Sequence, residues 1–230
     1  MQFELRYQPA HTLAIVHLSP GEAIRAEASS MISMTSGLAV STDGPLARGR
    51  GGLLRGMGRA MLGGESFFTN TFTAVGGAGH VTLAPALCGD LLVHDVRPGE
   101  DLLIQGSSYV AAPDTVTLDT QWQGMKGFFS GESLFFLRAT GDGPVLLNAF
   151  GAIQTIDLDG ELIVDTGHLV AFTSGIQYRV TTASPGLIAS WLSGEGFVLS
   201  VTGKGRLYLQ TRNPSEYGVA VGSSLPPREA

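Results

Sequence analysis

Hydrophobic and polar side chains alternate along much of this chain. The segments 100–105 (EDLLIQ) and 116–120 (VTLDT) follow a period close to two. Such a period places successive side chains on opposite faces of an extended strand, whereas a helix needs a period near 3.6. Short apolar runs such as 134–137 (LFFL) have the length of buried strands. The pattern therefore predicts an all-β protein built from many short strands.

Glycine and proline mark the expected boundaries between these strands. The chain has 32 glycines and 11 prolines, and they are spread along its whole length. These residues favour turns, because glycine tolerates a positive φ and proline presets a negative one. Hairpin turns are predicted at Asp142-Gly143, at Asp159-Gly160 and at 203–205 (GKG), where residues that tolerate left-handed backbone lie between strand formers.

One sequence pattern recurs. PGEAIRAEASSMISMTSGLAVST, from Pro20, aligns without gaps with PGEDLLIQGSSYVAAPDTVTLDT, from Pro98. A weaker third copy, TGHLVAFTSGIQYRV, begins at Thr166, and in this alignment Gly167 takes the place of Gly99. A unit of this size cannot bury its apolar face alone, so the copies are expected to pack together as a single pseudo-threefold β body.

A second motif follows each copy: GESFF at Gly64, GESLFF at Gly131 and GEGFVL at Gly194. With both motifs, one all-β domain is predicted over about 1–220, containing repeats at about 10–90, 91–160 and 161–214. The strand pattern ends at Asn213-Pro214. We expect about the last ten residues, 221–230, to form a flexible tail.

The first repeat contains additional residues of unusual composition, at 44–64. This insert is rich in glycine and carries four arginines with no acidic residue among them: Arg48, Arg50, Arg55 and Arg59. Two interpretations stay open. The insert is either a mobile loop whose arginines are solvated, or a site for anions, a membrane surface or an acidic partner.

Charge and cysteine content limit the remaining functions. The net charge of −6 argues against indiscriminate binding of nucleic acid, which requires a basic face. The single cysteine, Cys88, cannot form an intramolecular disulfide, and it follows an apolar run that predicts a buried, unreactive thiol. No apolar run approaches the roughly 20 residues of a membrane span, and no secretory signal is recognised, so a cytoplasmic protein is expected.

Candidate catalytic residues are few. Three repeat-equivalent acids, Glu65, Glu132 and Glu195, would form an acidic cluster if a pseudo-axis gathers them, or solvated turn residues if they lie around the rim. No His-x-His pair occurs, the histidines are scattered, and His168 aligns with Glu100, so no metal site is expected. The serine pairs belong to the repeat, no Gly-x-Ser-x-Gly motif is present, and no nucleotide-binding glycine motif is found.

Several of these motifs together resemble one protein family. They are the paired PGE…SS segments, the Gly/Arg/Met insert running into GGESFFTNTF, the strand GDLLVHDV and the ending GKGRLYLQTRNP. The chain is similar, from Phe3 to Pro214, to the family named for altered inheritance of mitochondria. The resemblance implies a double-stranded β-helix or sandwich like that of the tryptophan RNA-binding attenuation protein, duplicated within one chain, and homo-oligomers. It implies no catalytic residues.

The sequence favours a non-enzymatic, homo-oligomeric β protein that acts as a scaffold or binding module. We expect a trimer that uses the segment 44–64 as a contact surface and needs no cofactor. One alternative is a small-molecule or sugar-binding enzyme of the double-stranded β-helix type that uses acids such as Glu132. Another is binding of RNA or an anionic surface through the four arginines of the insert.

Overall fold

The computed structural model describes residues 1–43, 69–121, 136–182 and 197–226. Within these ranges the chain forms seventeen β-strands and one α-helix. The elements are β1 Gln2–Arg6, β2 Leu13–Leu18, β3 Ala23–Glu27, β4 Met31–Met34, β5 Leu38–Asp43, β6 Thr69–Ala74, β7 Gly79–Leu83, β8 Leu91–Val96, β9 Leu102–Gln105, β10 Tyr109–Pro113, β11 Val116–Gln121, β12 Phe136–Gly141, β13 Gly143–Asn148, β14 Ile153–Asp165, β15 Leu169–Thr173, β16 Ile176–Thr182, β17 Phe197–Gln210 and α1 Pro214–Gly222.

The strands form three antiparallel sheets, so the prediction of a predominantly β protein is confirmed. One sheet has the order β1-β2-β7-β4, and a second has the order β5-β6-β3-β10-β13-β8. The third has the order β11-β12-β9-β15-β17-β14, with β16 also paired to β17. Strands that follow one another in sequence are often in different sheets, so the chain passes repeatedly between layers.

The same pairing pattern occurs three times along the chain. In unit 1, which we define as β2 to β7, β7 lies between β2 and β4, and β6 lies between β3 and β5. In unit 2, β8 to β13, β13 lies between β8 and β10, and β12 lies between β9 and β11. Unit 3, β14 to β17, forms the same pattern with fewer strands. Each of the long strands β14 and β17 occupies the positions that two separate strands occupy in the other units.

A β-bulge lies at the same place in each unit. The register shifts between Met31 and Ser33 in unit 1, between Tyr109 and Ala111 in unit 2, and at the corresponding point of β15 in unit 3. A bulge inserts one residue into one strand and increases the local twist. Three equivalent bulges therefore give β4, β10 and β15 the same local shape.

Neighbouring units are joined by strand pairing and by shared cores. β3 of unit 1 pairs with β10 of unit 2, and β9 of unit 2 pairs with β15 of unit 3. Each apolar cluster extends across its junction: Val110 and Leu146 of unit 2 belong to the unit 1 core, and Val170 of unit 3 belongs to the unit 2 core. The three units therefore form one continuous body.

The three predicted hairpin turns are wrong. Asp159-Gly160 and the segment 203–205 lie inside β14 and β17, where Gly160 is directly opposite Gly203. Both glycines have positive φ, 138° and 126°, so the two paired strands kink at the same level without breaking their ladder. Asp142 lies between β12 and β13, which belong to different sheets, so this position changes sheets and makes no hairpin.

The predicted register of the third copy is wrong. Thr166–His168 forms a short 3-10 turn that corresponds to Gly106–Ser108, because the residues preceding the turns, Asp165 and Gln105, each accept a hydrogen bond from the backbone two residues on. Thr166 therefore lies eight positions further along its unit than the alignment with Pro98 implied, and His168 corresponds to Ser108 and not to Glu100. The cause is the kinked β14, which replaces the Pro-Gly turn of the other units with a continuous strand.

The helix α1 was not predicted, and it extends into the first residues of the expected tail. Asn213 caps it, since its side chain accepts hydrogen bonds from the backbone nitrogens of Ser215 and Glu216, and Pro214 occupies the first turn. Asn before Pro is a recognised start signal for a helix. None of its residues is buried, so the helix adds nothing to the apolar clusters.

We expect Gly203→Ala to destabilise the protein by roughly 1–3 kcal/mol, the usual cost of forcing a side chain into such a backbone conformation. A Cβ at this position would also clash with the carbonyl oxygen of Gly175. Urea denaturation would measure the change. The matched control is Gly218→Ala in α1, where a Cβ meets open space and alanine favours the helix. An equal loss in both variants would contradict the assigned kink.

Candidate functional site

Within the described ranges, two strand edges lack a partner that the equivalent strands of the other units have. β4 pairs with β7 on one side only, although its counterparts β10 and β15 are paired on both sides. The C-terminal half of β14, residues 161–165, pairs with β17 alone, although its counterparts β3 and β9 also pair with the next unit. We call these the β4 edge (Met31–Met34) and the β14 edge (161–165).

Side-chain exposure separates the β4 edge from its counterparts. All five residues of β10 and all five of β15 are buried, whereas all four residues of β4 are exposed. At the bulge, Ile32 is 56% exposed, but Val110 and Val170 are both 0% exposed. Burying one such side chain contributes about 1.5–3 kcal/mol, so this strand forgoes a large stabilisation in the isolated chain.

The β14 edge also exposes an apolar side chain where its counterpart is packed. Ile163 on this edge is 66% exposed. Its counterpart Leu103 packs against the core of unit 3. Unpaired N–H and C=O groups beside exposed apolar side chains form a template for another strand.

Among the described residues, the β4 edge carries none of the usual protections against pairing. Its sequence, MISM, has no charged residue and no proline, although exposed edges are commonly blocked by lysine, proline or a covering strand. The outer strand of unit 1 does have such a cover, because β1 pairs along β2. Among the described residues, β2 therefore has a covering strand and β4 has none.

The covering strand β1 pairs with β2 along its whole length, and an ion pair lies beside its first residue. The ammonium group of Met1 lies 2.7 Å from the Glu22 carboxylate. This contact and the backbone N–H of Ser19 lower the pKa of Glu22. The anchored end holds β1 against β2, well away from the pairing side of β4.

The junction between units 1 and 2 shows what a completed edge contains. The hydroxyl of Tyr109 donates to the carbonyl of Arg25 at 2.9 Å, and the Arg25 guanidinium donates to the carbonyl of Val116 at 3.0 Å. Tyr109 is fully buried, and this burial raises its pKa to about 12. A completed junction therefore combines strand pairing, an anchored aromatic residue and cross-unit hydrogen bonds.

The site residues proposed from sequence lie outside the described residues. This applies to the four arginines of the insert and to the three repeat-equivalent acids: Arg48, Arg50, Arg55, Arg59, Glu65, Glu132 and Glu195. The structure does place the ends of the strands that flank the insert, since Asp43 of β5 is opposite Thr69 of β6. The residues on either side of this segment are therefore neighbours at one end of the β5–β6 pair.

The histidines are less scattered than the sequence indicated. His17 lies directly opposite His80, with ring centroids 5.9 Å apart, and its Nε2 is 3.3 Å from a carboxylate oxygen of Glu4. Cross-strand neighbours like these depend on register, which spacing along the chain does not reveal. No group of three or more metal-binding side chains is found in the described part of the chain.

Two further sequence expectations concern Cys88 and membrane spans. The predicted burial of Cys88 is wrong, because the thiol is exposed in the connection between β7 and β8. The apolar run before it begins in the core, where Leu83 ends β7, but its last two residues, Ala86 and Leu87, are exposed like Cys88. Within the described ranges, no helix has the length and hydropathy required to cross a bilayer.

Comparison with known proteins gives a consistent match. The sequence model of the family described as mitochondrial biogenesis AIM24 matches residues 3–212. An uncharacterised protein of Streptococcus pyogenes is 27% identical over 230 residues, which covers 98% of this chain and 92% of the relative. A Streptococcus pyogenes protein solved by a structural genomics consortium superimposes with a TM-score of 0.81 at 25% identity, covering 97% of this chain and 99% of that one.

Tyr109→Phe should lower the stability by roughly 1 kcal/mol at neutral pH, because the Arg25 carbonyl loses its donor. It should also reduce the loss of stability between about pH 10 and 12: unfolded chains release the tyrosine proton near 10, whereas folded Tyr109 holds it to about 12. Denaturation at several pH values measures both effects. Tyr217→Phe, on the exposed helix, should change neither. An unchanged alkaline profile in Tyr109→Phe would exclude this role.

Proposed function

This chain belongs to the mitochondrial biogenesis AIM24 family, and we propose that it is a non-enzymatic, homo-oligomeric β protein that acts as a scaffold or binding module. The observation that supports this proposal most strongly is the β4 edge. All four residues of β4 are exposed, whereas the equivalent strands β10 and β15 are wholly buried. The partner that fits best is the β14 edge of a second copy.

The chain contains two internal templates for this contact. At the first junction Ala112 is opposite Arg25, and at the second Phe172 is opposite Leu103. Arg25 and Leu103 hold equivalent positions in their units, and so do Ala112 and Phe172. The two junctions therefore have the same register. The remaining members of the set are β4 and the C-terminal half of β14, which do not pair with each other in the described part of the chain, so the third junction of this kind is proposed between chains.

The template defines the register between chains. Met34 corresponds to Ala112, and Ile163 corresponds to Leu103, so Met34 of one copy would lie opposite Ile163 of the next. These two side chains are 38% and 66% exposed in the single chain. Their pairing would cover apolar surface and complete both hydrogen-bond ladders, which favours association on two grounds.

The repeated pairing pattern supports the finer architecture that the sequence indicated. We propose three equivalent units in a pseudo-threefold arrangement within one domain, of the double-stranded β-helix or sandwich type found in the tryptophan RNA-binding attenuation protein. Contacts between different edges generate rings or open filaments. We propose a closed trimer, the smallest ring larger than a two-fold dimer, and a cytoplasmic location in keeping with the single cysteine.

The wild-type protein is expected to have a mass of three times 24.0 kDa by sedimentation or native mass spectrometry. Met34→Lys or Ile163→Glu alone should reduce the mass to that of the monomer, because each change leaves a charge in an apolar contact. The double variant should partly restore the trimer, since the two charges would then lie opposite each other.

Val75→Lys is the matched control. This residue is 69% exposed in the turn after β6, and its replacement should leave the mass unchanged. A wild-type monomer at micromolar concentration would overturn the proposed assembly. An oligomer that persists in both single variants would show that other surfaces hold it together.

The insert at 44–64 is proposed as a contact surface for anionic partners, on the strength of its four arginines. Replacing Arg48, Arg50, Arg55 and Arg59 by alanine should lower the salt concentration at which the protein elutes from immobilised heparin. The control replaces four exposed arginines elsewhere and changes the net charge equally: Arg6, Arg97, Arg179 and Arg212. Equal elution of the two variants would mean that the insert has no special affinity for anions.

A further inference from the structure

A polar cleft lies where units 2 and 3 meet, separate from the two open edges. Its volume is about 630 Å³. It is bordered by the end of β8, by the turn that follows, and by the kinked centres of β14 and β17. Cavities of this size accommodate small organic ligands.

Two buried polar side chains help to line this cleft. His94 and Tyr208 are 7% and 2% exposed, and the Nδ1 atom of His94 lies 2.7 Å from the Tyr208 hydroxyl. The Nε2 atom of His94 is buried and has no hydrogen-bond partner among the described residues. Buried polar atoms normally have a hydrogen-bond partner, so packing alone does not explain a buried histidine at this position.

The chain itself shows that the fold does not need this polar pair. At the equivalent positions of the junction between units 1 and 2, the residues are Val16 and Leu146, which are 0% exposed in one apolar cluster. Valine and leucine therefore complete the same junction. The histidine and tyrosine between units 2 and 3 point to a role other than packing.

Arg206 lies two residues before Tyr208 on β17 and so on the same face of this strand. Its Nε lies 3.3 Å from an oxygen of Asp157. Burial lowers the pKa of His94, which keeps the imidazole neutral and able to accept the proton of the Tyr208 hydroxyl. The ion pair with Asp157 therefore places a guanidinium at the border of the cleft, beside the buried pair.

The charges around the cleft are nearly balanced. Two ion pairs border it, Arg206 with Asp157 and Lys204 with Asp159, the latter at 3.0 Å. Asp95 and Glu100 add two carboxylates, and Arg97 adds one cation. A strongly charged ligand would meet like charge here. A neutral polyol would not, since each hydroxyl can donate to a carboxylate and accept from a guanidinium.

We propose that this cleft binds a neutral, polyhydroxylated small molecule of the sugar or polyol class. Asp95, Glu100 and Arg206 bond to the ligand hydroxyls, and the buried pair His94 and Tyr208 lines the cleft beside Arg206. The site lies within one chain, so it does not depend on the proposed assembly.

Ligand-observed saturation-transfer NMR with D-glucose, D-ribose and myo-inositol tests this site. At least one probe should give a saturable response in the millimolar range with the wild-type protein. Glu100→Gln should weaken it about tenfold, the effect of one charge-assisted hydrogen bond. The double variant His94→Val with Tyr208→Leu should abolish the response and keep its unfolding temperature, because the chain already uses this apolar pair at the equivalent junction. Tyr208→Phe, which removes only the hydroxyl, should weaken binding if the double variant fails to fold.

Glu216→Gln, on the exposed helix α1, is the matched control and should bind like the wild type. Absence of a saturable response to all three probes would overturn the proposal. So would an unchanged response in a folded double variant, or a response to glucose 6-phosphate or spermidine without any response to the neutral probes. The mass of the protein, measured on the same samples, separates failure of this site from failure of the assembly.

Discussion

The whole structure depends on the pairing of strand edges between successive units. Each unit leaves one side of its bulged strand and one side of a second strand without hydrogen bonds, and its neighbour supplies the missing strand. The pairing of β3 with β10 and of β9 with β15 satisfies two sets of these edges. It also joins the apolar clusters, since Val110 and Val170 are fully buried in clusters that include residues of the preceding unit. One kind of contact thus supplies both the hydrogen bonds and the buried apolar surface of the body.

In the part of the chain that the structure describes, the three units form two such junctions, and one bulged strand and one second strand are left without the partner that their counterparts have. The β4 edge shows the consequence, because its apolar side chains are exposed at positions where the other units bury theirs. The N-terminal strand β1 does not relieve this, as it pairs with β2 on the far side of the same sheet. The proposed assembly, in which each copy supplies the missing strand of the next, therefore uses the same strand pairing that joins the units within one chain.

Much of the fold follows from sequence, but the details that depend on register do not. The period of two and the abundant glycines correctly indicated short strands, and the alignment of Pro20 with Pro98 matches strand for strand. The turns predicted at Gly160 and Gly203 are wrong, because a glycine with positive φ inside two paired strands has the same sequence signature as a turn. The polar pair His94 and Tyr208 could not be found from spacing, since the residues are distant in sequence and meet only across a junction. The capping asparagine of α1 was a local signal that could have been recognised.

The central claim is that the β4 and β14 edges are paired between copies. Hydrogen–deuterium exchange of the backbone amides of β4, at high and at low protein concentration, tests it most directly. Pairing predicts that these amides and those at 161–165 are protected in the concentrated sample and lose protection together on dilution, while β10 and β15 stay protected throughout. Rapid exchange of β4 at both concentrations would contradict the account.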